Sequence, residues 1–186
     1  MRKLKRTKYL SSALLSLLLL IPSACAPNPD FELYKGKPLR IVVVGEPPEV
    51  KEEKVKFTKI SFDKMTNKEL NSFDAVFIME ENLFEAADDQ YVDVYLDSTI
   101  PFFFIGTDNF IPFLEKDMKY DKSMNWSSGN SYAVGILIQD DALKKWEYGL
   151  NNDEKKEEYI KDVYSRIFKT IDTKSVKFRW LEGKNK

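Results

Sequence analysis

The pattern of apolar and polar positions divides the chain into short apolar runs that are separated by stretches of helical periodicity. Continuous apolar runs occupy residues 39–45, 73–79 and 100–106. Runs of this length are typical of strands that are buried on both faces of a sheet. Residues 81–96 carry apolar side chains at helical spacing, which predicts a helix between the second and third runs. We therefore expect three central strands that are mutually parallel.

Alternating strand and helix signals predict an α/β fold. The expected architecture is a single domain with a mostly parallel sheet that is flanked by helices. This three-layer sandwich is similar to flavodoxin-like or Rossmann-like folds. The similarity concerns the fold alone, because folds of this kind host many unrelated functions.

Weaker patterns predict the remaining elements. Residues 55–62 alternate with a shift of phase, which suits a bulged edge strand. Thr66, three residues before Glu69, has the spacing of a capping box and predicts a short helix. Beyond residue 130 we expect a further strand at residues 131–138. The clearest helix of the chain is predicted at residues 153–171, and a half-exposed last strand at residues 176–180.

The absence of histidine removes several kinds of chemistry. With no histidine and one cysteine, the chain cannot use Ser-His-Asp or Cys-His catalysis, nor build a zinc or iron–sulfur site on those ligands. The apolar run that ends at Gly45 lacks the further glycines of a dinucleotide fingerprint, and no Gly-Lys-Ser or Gly-Lys-Thr sequence of a Walker loop occurs. The sequence therefore identifies no cofactor.

The N-terminus has the layout of a secretory signal. Five basic residues precede an apolar run at 10–21, which is followed by small residues and by Cys25, the single cysteine. This order resembles the signal peptide of bacterial lipoproteins, in which cleavage before the cysteine leaves a thiol that takes a diacylglycerol. The sequence Pro22-Ser23-Ala24-Cys25 matches the lipobox of that family at its last three positions, with Pro22 where leucine is commonest.

The resemblance implies a domain layout and a location. Residues 1–24 would be a cleaved signal peptide, residues 25–38 a lipidated tether and residues 39–186 a single α/β domain. The location implied is the extracytoplasmic face of the cell membrane, and the excess of lysine over arginine, 24 to 5, favours a Gram-positive source. An ordinary signal peptide, a core helix and an uncleaved membrane helix stay open as alternatives, although the apolar run is shorter than the ~20 residues that span a bilayer.

The charge of the mature chain limits its partners. The signal segment holds 5 of the 29 basic residues and none of the 30 acidic residues, so the rest carries 24 positive and 30 negative side chains, a net charge of −6. A mildly acidic surface is not attracted to phosphate backbones or to anionic head groups. We therefore expect no nucleic-acid partner, attachment to the membrane through lipid on Cys25, and a protein or small-ligand partner that the sequence does not identify.

Three acidic residues follow the three predicted central strands, at Glu46, Glu80 and Asp108. Ligands of parallel sheets bind outside the carboxyl ends of the strands, so these carboxylates would converge in one polar cleft. Such a cluster could hold Ca²⁺ or Mg²⁺, or it could divide into a general acid and a general base. The alternative is that all three are solvated residues, stabilised by the N-termini of the helices that follow them.

Two aromatic segments are further candidates. Residues 126–130 form a polar loop with one tryptophan, which could act as a lid or could pack beside an ordinary turn. Residues 146–150 could present aromatic side chains to a partner, or could close a helix end over the core.

Two functional hypotheses follow from these features. The leading one is a membrane-anchored extracytoplasmic lipoprotein that acts as a binding or accessory module, because the chain combines an anchor signal with no recognisable catalytic motif. The second is a carboxylate-based enzyme, with or without a divalent cation, whose acidic groups lie at the strand ends.

Overall fold

The computed structural model describes residues 31–182, with side chains described up to residue 173. The predicted signal peptide and residues 25–30, including Cys25, lie outside the described residues. The described strands are β1 (Leu39–Val44), β2 (Val55–Ile60), β3 (Ala75–Ile78), β4 (Phe102–Ile105), β5 (Ser131–Gln139) and β6 (Ala142–Gly149). The described α-helices are α1 (Asn67–Leu70), α2 (Leu83–Ala86), α3 (Asp89–Leu96), α4 (Ile111–Leu114) and α5 (Glu157–Glu182).

The six strands form one mixed sheet in the order β2-β1-β3-β4-β5-β6. Strands β2, β1, β3 and β4 run parallel to one another, whereas β5 is antiparallel to β4 and β6 is antiparallel to β5. The prediction of a mostly parallel, flavodoxin-like or Rossmann-like sandwich is therefore wrong. The three apolar runs do form adjacent parallel strands, β1, β3 and β4, but the C-terminal half of the sheet is antiparallel.

A tight turn joins the two antiparallel strands β5 and β6. The turn between β5 and β6 consists of Asp140 and Asp141, which both adopt a positive φ, of 54° and 57°. Two consecutive left-handed residues form the kind of turn that joins antiparallel neighbours. The pair contains neither glycine nor asparagine, the residues that usually mark such a turn, so the sequence pattern did not reveal the hairpin.

Helices cover both faces of the sheet. On one face α5 packs its apolar stripe against the sheet, and the ring of Phe168 stacks on that of Phe77 with centroids 6.2 Å apart. On the other face α2, α3 and α4 contribute a second core, where Phe104 stacks on Phe113 at 3.7 Å. Every residue of β1, β3 and β4 except Arg40 is buried, as expected for strands that are covered on both sides.

Several element boundaries differ from the predictions. Residues 81–96 form a 3-10 turn followed by α2 and α3 rather than one helix. The last helix begins at Glu157 rather than at Asp153, because Asn152 and Asp153 adopt a positive φ that an α-helix does not accommodate. That helix, α5, also includes residues 176–180, so the strand predicted there is wrong.

Three local predictions can be compared with the structure. β2 is an edge strand, as predicted, but it pairs with β1 in an unbroken register without a bulge. The short helix and its N-cap are confirmed, since the Thr66 hydroxyl accepts a hydrogen bond from the N–H of Glu69 at 3.4 Å. The N–H of Thr66 donates to the carbonyl of Lys64 at 2.9 Å, so the reciprocal half of the capping box does not form. Residues 146–150 lie mostly in β6 rather than at a helix end, and the buried Tyr148 donates to Thr170 at 2.8 Å.

The segment before β1 packs against the domain. The ring of Phe31 lies 5.8 Å from the ring of Tyr159 on α5. Tyr34 is buried, and its N–H donates to the carboxylate of Glu52 at 3.3 Å. The same buried carboxylate accepts a hydrogen bond from the hydroxyl of Ser165 on α5. This part of the predicted tether therefore lies along α5 and is fixed to it by packing and by a shared buried carboxylate.

Candidate functional site

The residues that directly follow β1, β3 and β4 meet at one edge of the sheet, which we call the strand-end edge. Gly45 and Gly106 lie here with φ values of +115° and +90°. A Cβ on Gly45 would lie 2.5 Å from a carboxylate oxygen of Glu81, and a Cβ on Gly106 would lie 2.6 Å from Cγ of Glu80. Both glycines are therefore required by backbone conformation and by the close approach of two glutamates.

The three predicted carboxylates all lie at the strand-end edge but have different surroundings. Glu46 is exposed and pairs with Lys59 of β2. The carboxylate of Glu80 lies 2.7 Å from Nζ of Lys155, and Asp108 is half-buried beyond β4. Within the described residues, no three acidic, histidine or cysteine side chains are placed to hold a metal ion. The structure thus brings the three residues to one edge without gathering their carboxylates around one point.

Glu80 and Asp108 share an electrostatic neighbour in Tyr120. Burial raises the pKa of the Tyr120 phenol, and the negative charges of Glu80 and Asp108 raise it further. The phenol ring makes an edge contact with exposed Phe84 at a centroid distance of 5.3 Å. The part of the edge beyond β4 therefore combines negative charge with aromatic surface.

Glu81, which is not one of the three predicted carboxylates, connects β3 to β1 across the edge. Its Oε1 accepts a hydrogen bond from the N–H of Glu46 at 3.1 Å. The neighbouring Asn82 donates from its side-chain amide to the carbonyl of Val44 at 3.4 Å. Because these bonds satisfy backbone groups at the end of β1, Glu81 and Asn82 hold the edge in shape.

Lys155 links the strand-end edge to the loop at residues 126–130. Besides pairing with Glu80, its Nζ lies 6.0 Å from the ring centroid of Trp126 and 5.7 Å from that of Tyr132. An ammonium group over aromatic rings is attracted by their negative faces. Trp126 is half-buried, and its indole N–H donates within the loop at 3.2 Å. The tryptophan therefore packs beside a turn, which was one of the two predicted alternatives.

A cavity of about 320 Å³ opens between the segment after β1 and the first turns of α5, and we call it the Tyr164 cavity. Tyr164 is 3% exposed, and its ring stacks on Phe77 at 5.9 Å. Tyr164 also lines the cavity, so that its phenol is a hydrogen-bonding group of the cavity wall. The cavity is lined by apolar residues, two acids, one base and this phenol: Pro48, Met79, Ile160, Glu49, Glu157, Lys161 and Tyr164.

The phenols beneath the strand-end edge are held in their neutral form. Burial raises the pKa of Tyr164 far above its ordinary value, and the charges of nearby Glu81 and Glu80 add to the effect. Burial likewise raises the pKa of Tyr132 to about 12, again with the two glutamates contributing. Both hydroxyls are protonated at neutral pH, as a phenol with the ordinary pKa of 10.0 also is, and can donate a hydrogen bond to a ligand.

Sequence reasoning did not find Lys155 or Tyr164. Lys155 lies in a charged stretch, 153–158, that is interpreted most simply as the solvated start of a helix. Tyr164 lies on the apolar stripe of α5 and is interpreted as core. One signal was available, since a tyrosine within an apolar stripe brings a hydroxyl that needs a partner when it is buried.

Comparison of the chain with protein-family models, with curated proteins and with solved structures finds no match. In the part of the chain that the structure describes, no helix is long and apolar enough to cross a membrane. The chemistry of the strand-end edge and of the Tyr164 cavity therefore rests on their own side chains.

Proposed function

We propose that the protein is a lipid-anchored extracytoplasmic lipoprotein whose domain acts as a binding module close to the membrane surface. The observation that carries the anchor is the order of basic, apolar and small residues before the single Cys25. The two or three acyl chains of a mature lipoprotein would hold the chain stably, whereas a single chain would bind only reversibly.

The packing of the N-terminal segment supports a short connection to the anchor. The described domain begins at Phe31, six residues after Cys25. Six residues reach about 21 Å at most when they are fully extended. A lipid on Cys25 would therefore keep the point where the chain enters the domain within about that distance of the membrane surface.

The path of the segment before β1 supports an orientation of the domain relative to the membrane. Phe31 contacts Tyr159, which lies four residues after Lys155, the partner of Glu80. From there the segment follows α5 away from the strand-end edge, since Tyr34 lies against Phe168 at a centroid distance of 6.1 Å. The anchored chain would thus enter the domain on the side of the strand-end edge, and this edge would lie toward the membrane.

A binding role has more support than the carboxylate enzyme, which is the second hypothesis. Glu46 and Glu80 each pair with a lysine, so their charges are already compensated. The Tyr164 cavity, in contrast, offers a buried hydroxyl donor and an apolar floor, which is the composition of a small-molecule site.

The anchor is tested by metabolic labelling with radioactive palmitate in the bacterial host. We expect wild type and Ala26→Ser to carry the label and to sediment with membranes. Cys25→Ser should carry no label and should leave the membrane fraction. Equal labelling of Cys25→Ser would refute the anchor, because no other cysteine is available to take the lipid.

A further inference from the structure

The Tyr164 cavity offers hydrogen-bonding groups of both charges beside an apolar floor. Lys161 is half-buried and pairs with Glu157 one turn earlier, and this hydrogen bond raises the pKa of Lys161, with Glu49 adding to the effect. An acid and a base are therefore both present at the rim. Met79 and Ile160 supply apolar surface, and both pack against the core beneath.

The phenol of Tyr164 gives the cavity a hydrogen-bond donor at its wall. Tyr164 is fixed by stacking on Phe77 and on Phe168, at 5.9 Å and 6.4 Å. Because the ring is held in place by this stacking, the hydroxyl is a positioned donor for an acceptor atom of a bound molecule.

We propose that the Tyr164 cavity binds a small zwitterion with an apolar side chain, which is the chemistry of a free aliphatic amino acid. Its carboxylate accepts hydrogen bonds from Tyr164 and from Lys161, which shares its ammonium group between the ligand and Glu157. The ammonium group of the ligand donates to Glu49, for which no ion pair is recorded among the described residues. Its side chain lies on the apolar floor. A volume of about 320 Å³ is at the lower end of the range for small-molecule sites and suits a ligand of this size.

The larger cleft elsewhere in the described residues has different chemistry. It has a volume of about 480 Å³ and contains Tyr91 and Phe62, with Asp63 and Glu85 as its charged lining residues. Its lining holds no base, so it offers no positive charge to a ligand carboxylate. Tyr91 is only half-buried, so Tyr91→Phe is a matched control that removes a phenol hydroxyl from the other site.

The inference rests on the proposed binding function and is independent of the anchor. The test is isothermal titration of the full, detergent-extracted chain with L-leucine and L-methionine. We expect saturable binding of at least one. Two analogues of leucine that each lack one charge, 4-methylpentanoate and 3-methylbutylamine, should bind at least tenfold more weakly, since each loses charge-assisted hydrogen bonds.

Variants locate the site. Tyr164→Phe should weaken binding about tenfold and Glu49→Gln should weaken it severalfold, whereas Tyr91→Phe should bind like wild type. An unchanged melting curve for Glu49→Gln, an exposed residue, separates lost binding from lost folding. Absence of binding by both amino acids, equal binding of the analogues, or wild-type binding by Tyr164→Phe would overturn the proposal. None of these results changes the labelling of Cys25, so the lipid anchor and the ligand site are tested independently.

Discussion

Replacing Gly106 by alanine tests the close approach that shapes the strand-end edge. Gly106 is buried at a φ of +90°, and an added Cβ would lie 2.6–2.8 Å from three carbon atoms of the Glu80 side chain. Gly129 provides a matched control, because it has a φ of +91° and nothing within 4 Å of an added Cβ. The two substitutions therefore share a backbone cost and differ in a steric one.

The expected magnitudes follow from these two costs. A left-handed conformation costs an L-residue roughly 1–2 kcal/mol, so Gly129→Ala should lower the free energy of unfolding by that amount. Overpacking adds about 1–3 kcal/mol, so Gly106→Ala should lose about 2–5 kcal/mol in all. Glu80 must move to admit the new methyl group, so the ion pair between Glu80 and Lys155 should also be disturbed.

Urea unfolding followed by circular dichroism measures both variants, with free energies obtained by linear extrapolation at a common m value. The test is the difference between the decreases in the free energy of unfolding of the two variants. If Gly106→Ala and Gly129→Ala lose the same free energy, Glu80 does not approach the end of β4 as the structure has it, and the described geometry of the edge is wrong.

Two further predictions concern the core and its titration. Ile167→Ala should cost about 2–5 kcal/mol, because Ile167 is fully buried on α5, whereas Leu143→Ala, at a side chain that is 42% exposed, should cost little; equal losses in urea unfolding would contradict the assigned face of α5. Burial raises the pKa of Tyr132 and of Tyr148 to about 12 from the ordinary value of 10.0, so the stability that these phenols contribute is complete below pH 10 and is lost as the pH rises toward 12. The melting temperature should therefore fall across that window, less steeply in Tyr148→Phe, and a flat profile would contradict the burial.

The central strands could be predicted because burial on both faces leaves a direct record in the sequence. β1, β3 and β4 are continuous apolar runs, and their order along the chain matches their neighbourhood in the sheet. The direction of β5 could not be predicted from the sequence. A strand that is buried on both faces has the same apolar pattern whether it runs parallel or antiparallel, and the turn at Asp140 and Asp141 lacks the usual glycine.

The candidate site was predictable to the same extent. Glu46 and Glu80 were found at the strand-end edge because strand ends are visible in the sequence. Lys155, 75 residues after Glu80, reaches it only because β6 runs back toward the same edge. Contacts that depend on a hairpin cannot be predicted when the hairpin itself is not, and Tyr164 was hidden by an apolar stripe that suits a core residue equally well.

If Cys25 carries the proposed lipid, the packed segment before β1 has a consequence for how far the domain can move from the membrane. The Phe31–Tyr159 contact and the ion pair of Glu32 with Lys169, at 2.9 Å, hold this segment to α5. The N–H of Tyr34 holds it to Glu52, between β1 and β2. Detachment of the eight residues 31–38 from the domain would lengthen the connection between the lipid and the domain by about 28 Å. It would also leave the carboxylate of Glu52 with fewer partners. If a force detached this segment, the domain would reach farther from the membrane, and its free energy of unfolding would decrease.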